Sequence, residues 1–337
     1  MITIDATSRR IINNLQTGFP LSSSPFFAAA QRLGLEESLL IKKVQSLLST
    51  GVLTRFGPLF NAERMGGGLT LAAMALSEHE FDSVAEVVNA MPEVAHNYAR
   101  DHAMNMWFVL ATEKPDEIQQ VIDRIEKKTG HKVFNMPKQE EYRLGFKILL
   151  DDDGGIDTVA LNSDDNGKDP DNGCFSERGP NQEERAVIAA TQDGLPVTHR
   201  PYDAVAESIG ILPAEVINHL ENMLTFGWIR RIGLVPNHYK LGLAGNGMSV
   251  WNLPDNKIRQ RGKEIGALGY VSHCYRRPRN LPQWPFNLFV MVHGADRTIV
   301  KQRVEQISQL LGEDDLGHGI LFSSKILKKT GLRLKTI

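Results

Sequence analysis

The chain has 337 residues, of which 42% are hydrophobic and 23% are charged, a composition typical of a soluble globular protein with room for two or more domains. No run of 18 apolar residues predicts a transmembrane helix, the N-terminus lacks a signal-peptide pattern, and two cysteines are too few for a disulfide framework or a zinc site. The formal net charge of −2 excludes the strongly basic profile of a dedicated nucleic-acid-binding protein, and we expect a cytoplasmic protein.

Three helical stretches open each half of the chain, and the turn between the second and third contains a glycine, Gly34 or Gly210. This arrangement is typical of a helix-turn-helix. In each half two β-like segments follow and predict the wing of a winged helix, namely Val52–Phe56 with Pro58–Asn61, and Trp228–Ile232 with Leu234–His238. The predicted helices are Arg9–Gln16, Pro25–Leu33 and Glu36–Thr50, then Glu183–Thr191, Pro201–Ile209 and Pro213–Phe226.

The remainder of each half alternates strand and helix patterns in the order βαββαβ, which predicts a ferredoxin-like α+β fold. We expect Tyr142–Leu149 to close the first sheet and Ile320–Ile326 the second. Residues 151–173 hold eight Asp and one Lys and predict a flexible acidic linker. The predicted boundaries are 1–64 and 183–242 for the winged helix-turn-helix domains, 65–150 and 243–337 for the ferredoxin-like domains, and 151–182 for the linker.

The two halves are related by an internal repeat. Gln16-Thr17-Gly18-Phe19-Pro20 recurs as Gln192-Asp193-Gly194-Leu195-Pro196, and several glycines recur at the same offset. The repeat is too long for a solenoid unit, so the sequence predicts a tandem duplication of a domain pair. Its layout is that of the Lrp/AsnC transcription regulators, and the two halves of one chain are expected to form an intrachain pseudo-dimer.

A DNA-binding regulator is therefore the first hypothesis, and its recognition helices test it. The helix at Pro213–Phe226 contains Glu215 and Glu221 but no Lys or Arg, while in the first half Glu36 and Glu37 offset two lysines. Acidic groups at this position would repel the DNA backbone. The sequence thus disfavours DNA binding, although a DNA-binding regulator remains the alternative.

Polar and aromatic residues recur in register on one predicted strand of each half. The pattern His-x-Tyr-x-Arg gives one row of His96, Tyr98 and Arg100 and another of His273, Tyr275 and Arg277. Strand alternation places each row on one face of its sheet. An Asn and an aromatic residue follow on the next strand, at Asn105 and Trp107 and at Asn287 and Phe289. Buried polar groups need partners, so a repeated set of this kind favours a ligand site over a core.

The segment Tyr270–Gly294 adds further ligand-binding residue types. It contains Arg276, Arg277 and Arg279, together with Trp284 and Phe286. Guanidinium forks bind carboxylates in a bidentate manner, and aromatic faces cover an apolar ring. The segment predicts a site for a flat ligand that carries several carboxylates.

These residues resemble those of the siroheme decarboxylase family. The likeness lies in His96–His102 with Asn105–Phe108, and in His273–Pro278 with Trp284–Phe289, and it extends over nearly the whole chain outside the linker. The resemblance implies a fused two-subunit form that removes the C12 and C18 acetate carboxylates of siroheme in heme d1 or alternative heme biosynthesis. It also implies a hetero-oligomer with a second, homologous subunit pair. The alternative is an Lrp/AsnC-type DNA-binding regulator that senses heme or tetrapyrrole.

The roles implied by the resemblance divide the candidate residues into two groups. Protonation of the carbon that loses CO2 needs a donor near neutral pKa, for which His96, His102 and His273 are candidates, with Tyr98 and Tyr275 as positioning residues. No separate cofactor is expected, because the macrocycle can accept the electrons. His293 is a weaker candidate as a ligand to the substrate iron. The expected substrate-binding residues are Arg100, Arg276, Arg277, Arg279, Asn105, Asn287, Trp107, Trp284 and Phe286.

Overall fold

In the computed structural model, the described residues 4–153, 155–160, 178–243 and 245–329 divide into two compact units. The first unit contains the residues up to 65 and residues 147–242. The second contains residues 66–146 and the described residues from 243 to 329. The two winged-helix regions therefore share one unit, and the two ferredoxin-like regions share the other.

Six helices build the first unit, and their starts follow from local sequence. Asp5 accepts a hydrogen bond from Ser8 N–H at the start of α1, and Asn181 forms a capping box with Glu184 at the start of α6. Pro25 begins α2 and Pro201 begins α7, positions where a helix has no use for the missing N–H. The helices are α1 (Ala6–Leu15), α2 (Pro25–Arg32), α3 (Glu37–Ser49), α6 (Gln182–Thr191), α7 (Pro201–Ile209) and α8 (Pro213–Thr225).

The prediction of a wing hairpin within each half is wrong. Val52–Phe56 and Pro58–Asn61 do not pair with each other, because they belong to one continuous strand, β1 (Leu53–Phe60). This strand pairs antiparallel with β9 (Ile229–Pro236) of the second half, which likewise joins the predicted segments Trp228–Ile232 and Leu234–His238 into one strand. Pairing between the halves satisfies the backbone groups that a local hairpin would have paired.

The prediction that Tyr142–Leu149 closes the first sheet is also wrong. Gly145, with φ of 100°, separates β6 (Glu140–Leu144) from β7 (Phe146–Leu150), and a positive φ of this size favours glycine. Strand β7 pairs with β8 (Ile156–Ala160), which lies in the segment predicted as linker. Of that linker, residues 154 and 161–177 are outside the described residues.

The second unit contains one nine-stranded sheet with two helices from each half. Its strand order is β5-β2-β4-β3-β13-β10-β12-β11-β6. The remaining strands are β2 (Gly68–Met74), β3 (Val94–Arg100), β4 (Met106–Thr112), β5 (Phe134–Pro137), β10 (Gly245–Trp251), β11 (Val271–Arg276), β12 (Leu288–Gly294) and β13 (His318–Lys329). The helices are α4 (Glu78–Asn89), α5 (Glu117–Thr129), α9 (Ile258–Gly266) and α10 (Arg297–Leu311).

The last strand of each half joins the two halves into this sheet. Strand β13 pairs first with β10 of its own half and then with β3 of the other. In the first half this strand is divided: β5 pairs with β2, and β6 pairs with β11. Since β5 and β6 are the two edges of the sheet and only Lys138 and Gln139 separate them, the edges lie side by side. The sheet therefore curls, which gives it an inner face.

Two apolar cores lie under the helices, one in each half. The first contains Phe108 and Leu110 of β4 with Val121 of α5, and the second contains Leu288 and Val290 of β12 with neighbouring residues of α9 and α10. Because side chains alternate along a strand, these cores use one face of the sheet. The residues between them on the same strands occupy the inner face, where the candidate site lies.

Candidate functional site

Strand register places both His–Tyr pairs on the inner face of the sheet. His96 is opposite Val109 and Tyr98 is opposite Trp107. In the second half, His273 is opposite Met291 and Tyr275 is opposite Phe289. Opposed residues share a face of a sheet, and these alternate with the residues of the helix-covered cores. All four His and Tyr side chains are half-buried.

An aromatic cluster of Trp107, Trp284, Phe286 and Phe289 lies on the same inner face. The ring centroids of Trp107 and Trp284 are 5.0 Å apart, and those of Trp284 and Phe289 are 5.8 Å apart. Phe286 packs edge-on against Trp284 at 5.0 Å. Both tryptophans are buried, so they form an apolar base that connects the two rows. Phe286 is half-buried.

Arg100 and Arg277 have matching surroundings in the two halves. Arg100 Nη1 donates to the carbonyl of Leu321 at 2.9 Å, and its guanidinium lies 5.3 Å from the Tyr98 ring centroid. Arg277 Nη1 donates to the carbonyl of Met136, and its guanidinium lies 5.2 Å from the Tyr275 ring centroid. Each carbonyl belongs to the last strand of the other half. The crossing strands therefore fix the plane of both guanidinium groups.

Arg276 does not join this site. It follows Tyr275 by one residue, so it lies on the helix-covered face, opposite Leu288. Its Nη1 contacts Glu140 Oε1 at 3.3 Å. Burial acts to raise the pKa of Glu140, but hydrogen bonds from Arg259, Tyr142 and Arg276 outweigh it and hold the pKa below its usual value. The prediction that Arg276 binds substrate carboxylates is therefore corrected to a structural ion pair.

Arg279 is also engaged in structure. Its guanidinium donates to Asn252 Oδ1, to the carbonyls of Leu253 and Pro285, and to Asp255 Oδ1 at 2.7 Å. Nε, Nη1 and Nη2 all take part, so the group holds the chain after β10 against the segment before β12. Like Arg276, Arg279 therefore has a structural role in place of the predicted contact with substrate carboxylates.

Asn105 and Asn287 are positioning residues in equivalent places. Asn105 exchanges two hydrogen bonds with the backbone of Leu76, at 2.9 and 3.1 Å. Asn287 exchanges two with the backbone of Leu253, both at 2.9 Å. Both side-chain amides are hydrogen-bonded to the backbone of the residues just after β2 or β10. This argues against the substrate contact that was predicted for them.

Arg279→Ala is expected to lower the free energy of unfolding by about 1–3 kcal/mol, because the half-buried Pro285 carbonyl and the Asn252 amide oxygen lose their donor. The substrate KM is expected to change less than about two-fold. Urea denaturation followed by circular dichroism measures the first quantity. Arg259→Ala is the matched control, since Arg259 is exposed and its pair with Glu140 contributes little. Equal losses in the two variants would contradict the structural role of Arg279.

His102 lies at the exposed end of the aromatic cluster. Its Nδ1 accepts a hydrogen bond from Met104 N–H at 2.9 Å, and its ring meets Trp284 edge-on at 5.5 Å. Partial burial lowers the pKa of His102 below its usual value. Because Nδ1 accepts the bond from Met104, the neutral ring carries its proton on Nε2. His102 remains a candidate proton donor at the margin of the site.

His293 does not meet the requirements for an iron ligand. It is buried, its Nε2 is 2.6 Å from Ser272 Oγ, and its Nδ1 is hydrogen-bonded to Asn246 Oδ1. A metal ligand needs one ring nitrogen directed at the metal, and here both are directed at protein side chains. Among the described residues, no group of three or more His, Cys, Asp or Glu side chains is placed to hold a metal ion.

The two families of domain found by comparison occur twice in the chain. A model for the AsnC-like ligand binding domain matches residues 65–143 and 240–328, and a model for the siroheme decarboxylase NirDL-like HTH domain matches residues 8–53 and 184–230. The siroheme decarboxylase NirH subunit of Paracoccus pantotrophus is 48% identical over 97% of its own length, which corresponds to 46% of this chain. The chain belongs to the siroheme decarboxylase family.

Other members of the siroheme decarboxylase family match one half or the whole chain. The NirG subunit of Paracoccus pantotrophus is 49% identical over 92% of its length and 43% of this chain. A siroheme decarboxylase of Hydrogenobacter thermophilus is 29% identical over 93% of its length and 96% of this chain. The duplicated α+β architecture, a helix-turn-helix domain followed by an AsnC-like, ferredoxin-like domain, is thereby confirmed.

Two crystal structures of the siroheme decarboxylase NirDL share the fold over nearly the full length. One has a TM-score of 0.72 and 26% identity and covers 96% of this chain and 92% of its own. The other is a complex with an iron-uroporphyrin III analogue, with a TM-score of 0.71, 26% identity and coverage of 97% and 92%. No helix in the described part of the chain is long and apolar enough to cross a membrane.

Sequence reasoning missed three features of this family member. The carbonyls of Met136 and Leu321 could not be found, because backbone atoms leave no sequence signal. Lys138, whose Nζ lies 5.7 Å from the Tyr275 ring centroid, belongs to the first half and lies two residues before β6, which pairs with β11 of the second half. Ser272 could have been found, because the two halves differ at this position: Ser272 precedes His273, whereas Ala95 precedes His96.

Proposed function

We propose that this chain is a siroheme decarboxylase that removes the C12 and C18 acetate carboxylates of siroheme and releases 12,18-didecarboxysiroheme and two CO2 for heme d1 biosynthesis. One observation carries the proposal: two rows of His, Tyr and Arg, matched in register, share one face of a curled sheet with an aromatic cluster. The family to which the chain belongs supports the choice of substrate, as does the iron-uroporphyrin analogue held by a related structure.

Arg100 and Arg277 bind carboxylates that do not react. A guanidinium stabilises a carboxylate anion, so an arginine on the reacting acetate would oppose loss of its charge. Both groups are held by a carbonyl and a tyrosine ring, which fixes them before substrate arrives. Their task is to hold propionates or the other acetates so that one acetate meets a histidine.

The reacting acetate enters the apolar part of the site, beside the aromatic cluster. Removal of water from a carboxylate destabilises the charged ground state relative to the charge-dispersed transition state. Trp107 and Trp284 are buried and Phe286 is half-buried, so this surface offers few hydrogen bonds to a carboxylate. The Nε1 of Trp284 is buried and has no hydrogen-bond partner in the part of the chain that the structure describes.

The reaction exchanges a carboxylate for a proton. The bond between the acetate CH2 and its carboxylate carbon breaks, CO2 leaves, and the electron pair remains on the CH2 carbon, where the macrocycle disperses it. A protonated His273 then donates its proton to that carbon, which becomes a methyl group. Tyr275 lies beside His273, with ring centroids 5.9 Å apart, and orients the substrate. His96 and Tyr98 are the corresponding pair in the first half, with ring centroids 6.2 Å apart. The overall reaction is that of a carboxy-lyase.

A second subunit pair of the NirDL kind is the proposed partner. The half-length NirH and NirG subunits are 48% and 49% identical to this chain, and full-length NirDL of the same organism is 29% identical. This difference supports a fusion of NirG-like and NirH-like halves that acts with a NirDL-like protein.

DNA binding has less support than catalysis. The recognition helix α8 contains Glu215 and Glu221 but no Lys or Arg, and in α3 Lys43 forms an ion pair with Asp5 at 2.6 Å. A regulator would need basic groups available for phosphates at these positions.

The proposal is tested by incubating the purified chain with siroheme without oxygen, alone and with a NirDL-like partner, and analysing the tetrapyrrole by mass spectrometry. The expected product has lost two CO2. Stoichiometric binding with the siroheme mass unchanged under both conditions would identify a carrier, and salt-sensitive binding to promoter DNA without any product would identify a regulator.

A further inference from the structure

A continuous chain of hydrogen bonds extends from the interior of the second ferredoxin-like domain to His273. Ser272 Oγ is 2.7 Å from His273 Nδ1 and 2.6 Å from His293 Nε2. His293 Nδ1 is in turn bonded to Asn246 Oδ1. Ser272 and His293 are buried, Asn246 and His273 are half-buried, and only His273 belongs to the candidate site.

The last member of this chain fixes the direction of every bond in it. Asn246 Nδ2 donates to the carbonyl of Leu243 at 3.1 Å, so the amide oxygen faces His293. An oxygen accepts, so His293 carries a proton on Nδ1, and in the neutral His293 ring Nε2 is then an acceptor. Ser272 donates its hydroxyl proton to that Nε2. Its oxygen then accepts from His273, which must carry a proton on Nδ1.

The three supporting positions of this chain hold different residue types in the described part of the first half. Register places Leu69 opposite Ala111, as Asn246 is opposite His293, and Ala95 precedes His96 as Ser272 precedes His273. None of these three side chains can form a hydrogen bond. The two histidines therefore occupy matching positions in the site with different support behind them.

We propose that Asn246, His293 and Ser272 are positioning residues that hold His273 with a proton on Nδ1, so that Nε2 is the nitrogen that gives the proton to substrate, and that this distinguishes His273 from His96. This inference rests on the proposed function and names the donor atom for it. In the protonated ring both nitrogens carry hydrogen. When the Nε2 proton passes to the CH2 carbon as CO2 leaves, the Nδ1–H bond to Ser272 is unchanged, so nothing in the support has to rearrange.

The test measures the His273 ring nitrogens by NMR in the full chain labelled with ¹⁵N-histidine, with the signals assigned from His273→Gln. The neutral His273 of the wild-type protein is expected as the Nδ1–H tautomer, and Ser272→Ala is expected to move it toward the Nε2–H tautomer that imidazole prefers in water. Alanine is the residue at the matching position of the first half, which favours a folded variant. Asn246→Leu, which introduces the residue found at the matching position 69, is a second variant with the same expected shift.

Ser249→Ala is the control, because Ser249 is a buried serine of the same sheet that bonds to Val290 and Trp251 and not to a histidine.

Kinetics supply the second readout. Ser272→Ala is expected to lower kcat about ten-fold or more with KM within about two-fold, since orientation and not binding is lost. A wild-type His273 in the Nε2–H form, or a tautomer unchanged by both variants, would overturn the inference. The tautomer is read without any turnover, so a failure of the decarboxylase assay leaves this result interpretable, and a failure of the tautomer result leaves the assay standing.

Discussion

His273→Gln is expected to lower the kcat of siroheme decarboxylation by about 10²- to 10⁴-fold, the usual contribution of a general acid, with a small change in substrate affinity. Glutamine keeps a side chain of similar length and a hydrogen-bonding end, but it has no proton to give to carbon near neutral pH. Anaerobic single-turnover kinetics measure the rate, and a spectral titration with siroheme measures the affinity.

His131→Gln is the matched control for this variant. His131 lies in the first ferredoxin-like domain and its Nε2 contacts Glu80 at 3.4 Å, away from both rows. Its kcat is expected to stay within about two-fold of the wild-type value. A His273→Gln enzyme with the same kcat as His131→Gln would show that another group supplies the proton.

Arg277→Ala is expected to weaken siroheme binding roughly 10- to 100-fold, because a hydrogen-bonded charged pair contributes about 1.5–3 kcal/mol. Arg277 Nη1 is held by the Met136 carbonyl, and its guanidinium also lies 5.6 Å from the Phe289 ring centroid, inside the candidate site. Equilibrium titration of the full chain with siroheme gives the dissociation constant of each variant.

The adjacent Arg276 supplies the control for this experiment. It carries the same charge one residue earlier in the chain, but it is on the helix-covered face with Glu140. Arg276→Ala is expected to change the dissociation constant less than about three-fold, so the two variants separate a contact with the ligand from a change in net charge. Equal weakening by both would mean that only the overall charge matters.

The parts of the fold that the sequence predicted are those set by local pattern. Pro25 and Pro201 begin helices where expected, and alternation along Val94–Arg100 places His96 and Tyr98 on one face. The repeat also predicted that the second half would build a matching row. Local residue types determine these features, so they can be read without tertiary structure.

The errors have a common physical cause, which is pairing between the halves. β1 pairs with β9, β6 with β11, and β13 with β3, and each pairing joins residues more than a hundred positions apart. Local pattern shows that Tyr142–Leu149 is extended but cannot show which strand it joins. The same limit applies to the carbonyls of Met136 and Leu321 that hold the two arginines.

The three arginines of the second half illustrate what residue type alone leaves open. Arg276, Arg277 and Arg279 are equally suited to carboxylates by chemistry, yet only Arg277 reaches the inner face. One step along the strand directs Arg276 to the other face. Arg279, two residues after Arg277, donates its hydrogen bonds to Asn252 and Asp255.

The most direct test of decarboxylation with proton transfer is the reaction of siroheme with the full chain and its NirDL-like partner in D2O without oxygen. Each CO2 lost must be replaced by one solvent-derived hydrogen, so the predicted product has two new methyl groups, each with one deuterium. Mass spectrometry and NMR of the extracted tetrapyrrole measure both. Recovery of siroheme with its carboxylates intact, or of a product whose new methyl groups carry no deuterium, would contradict the account.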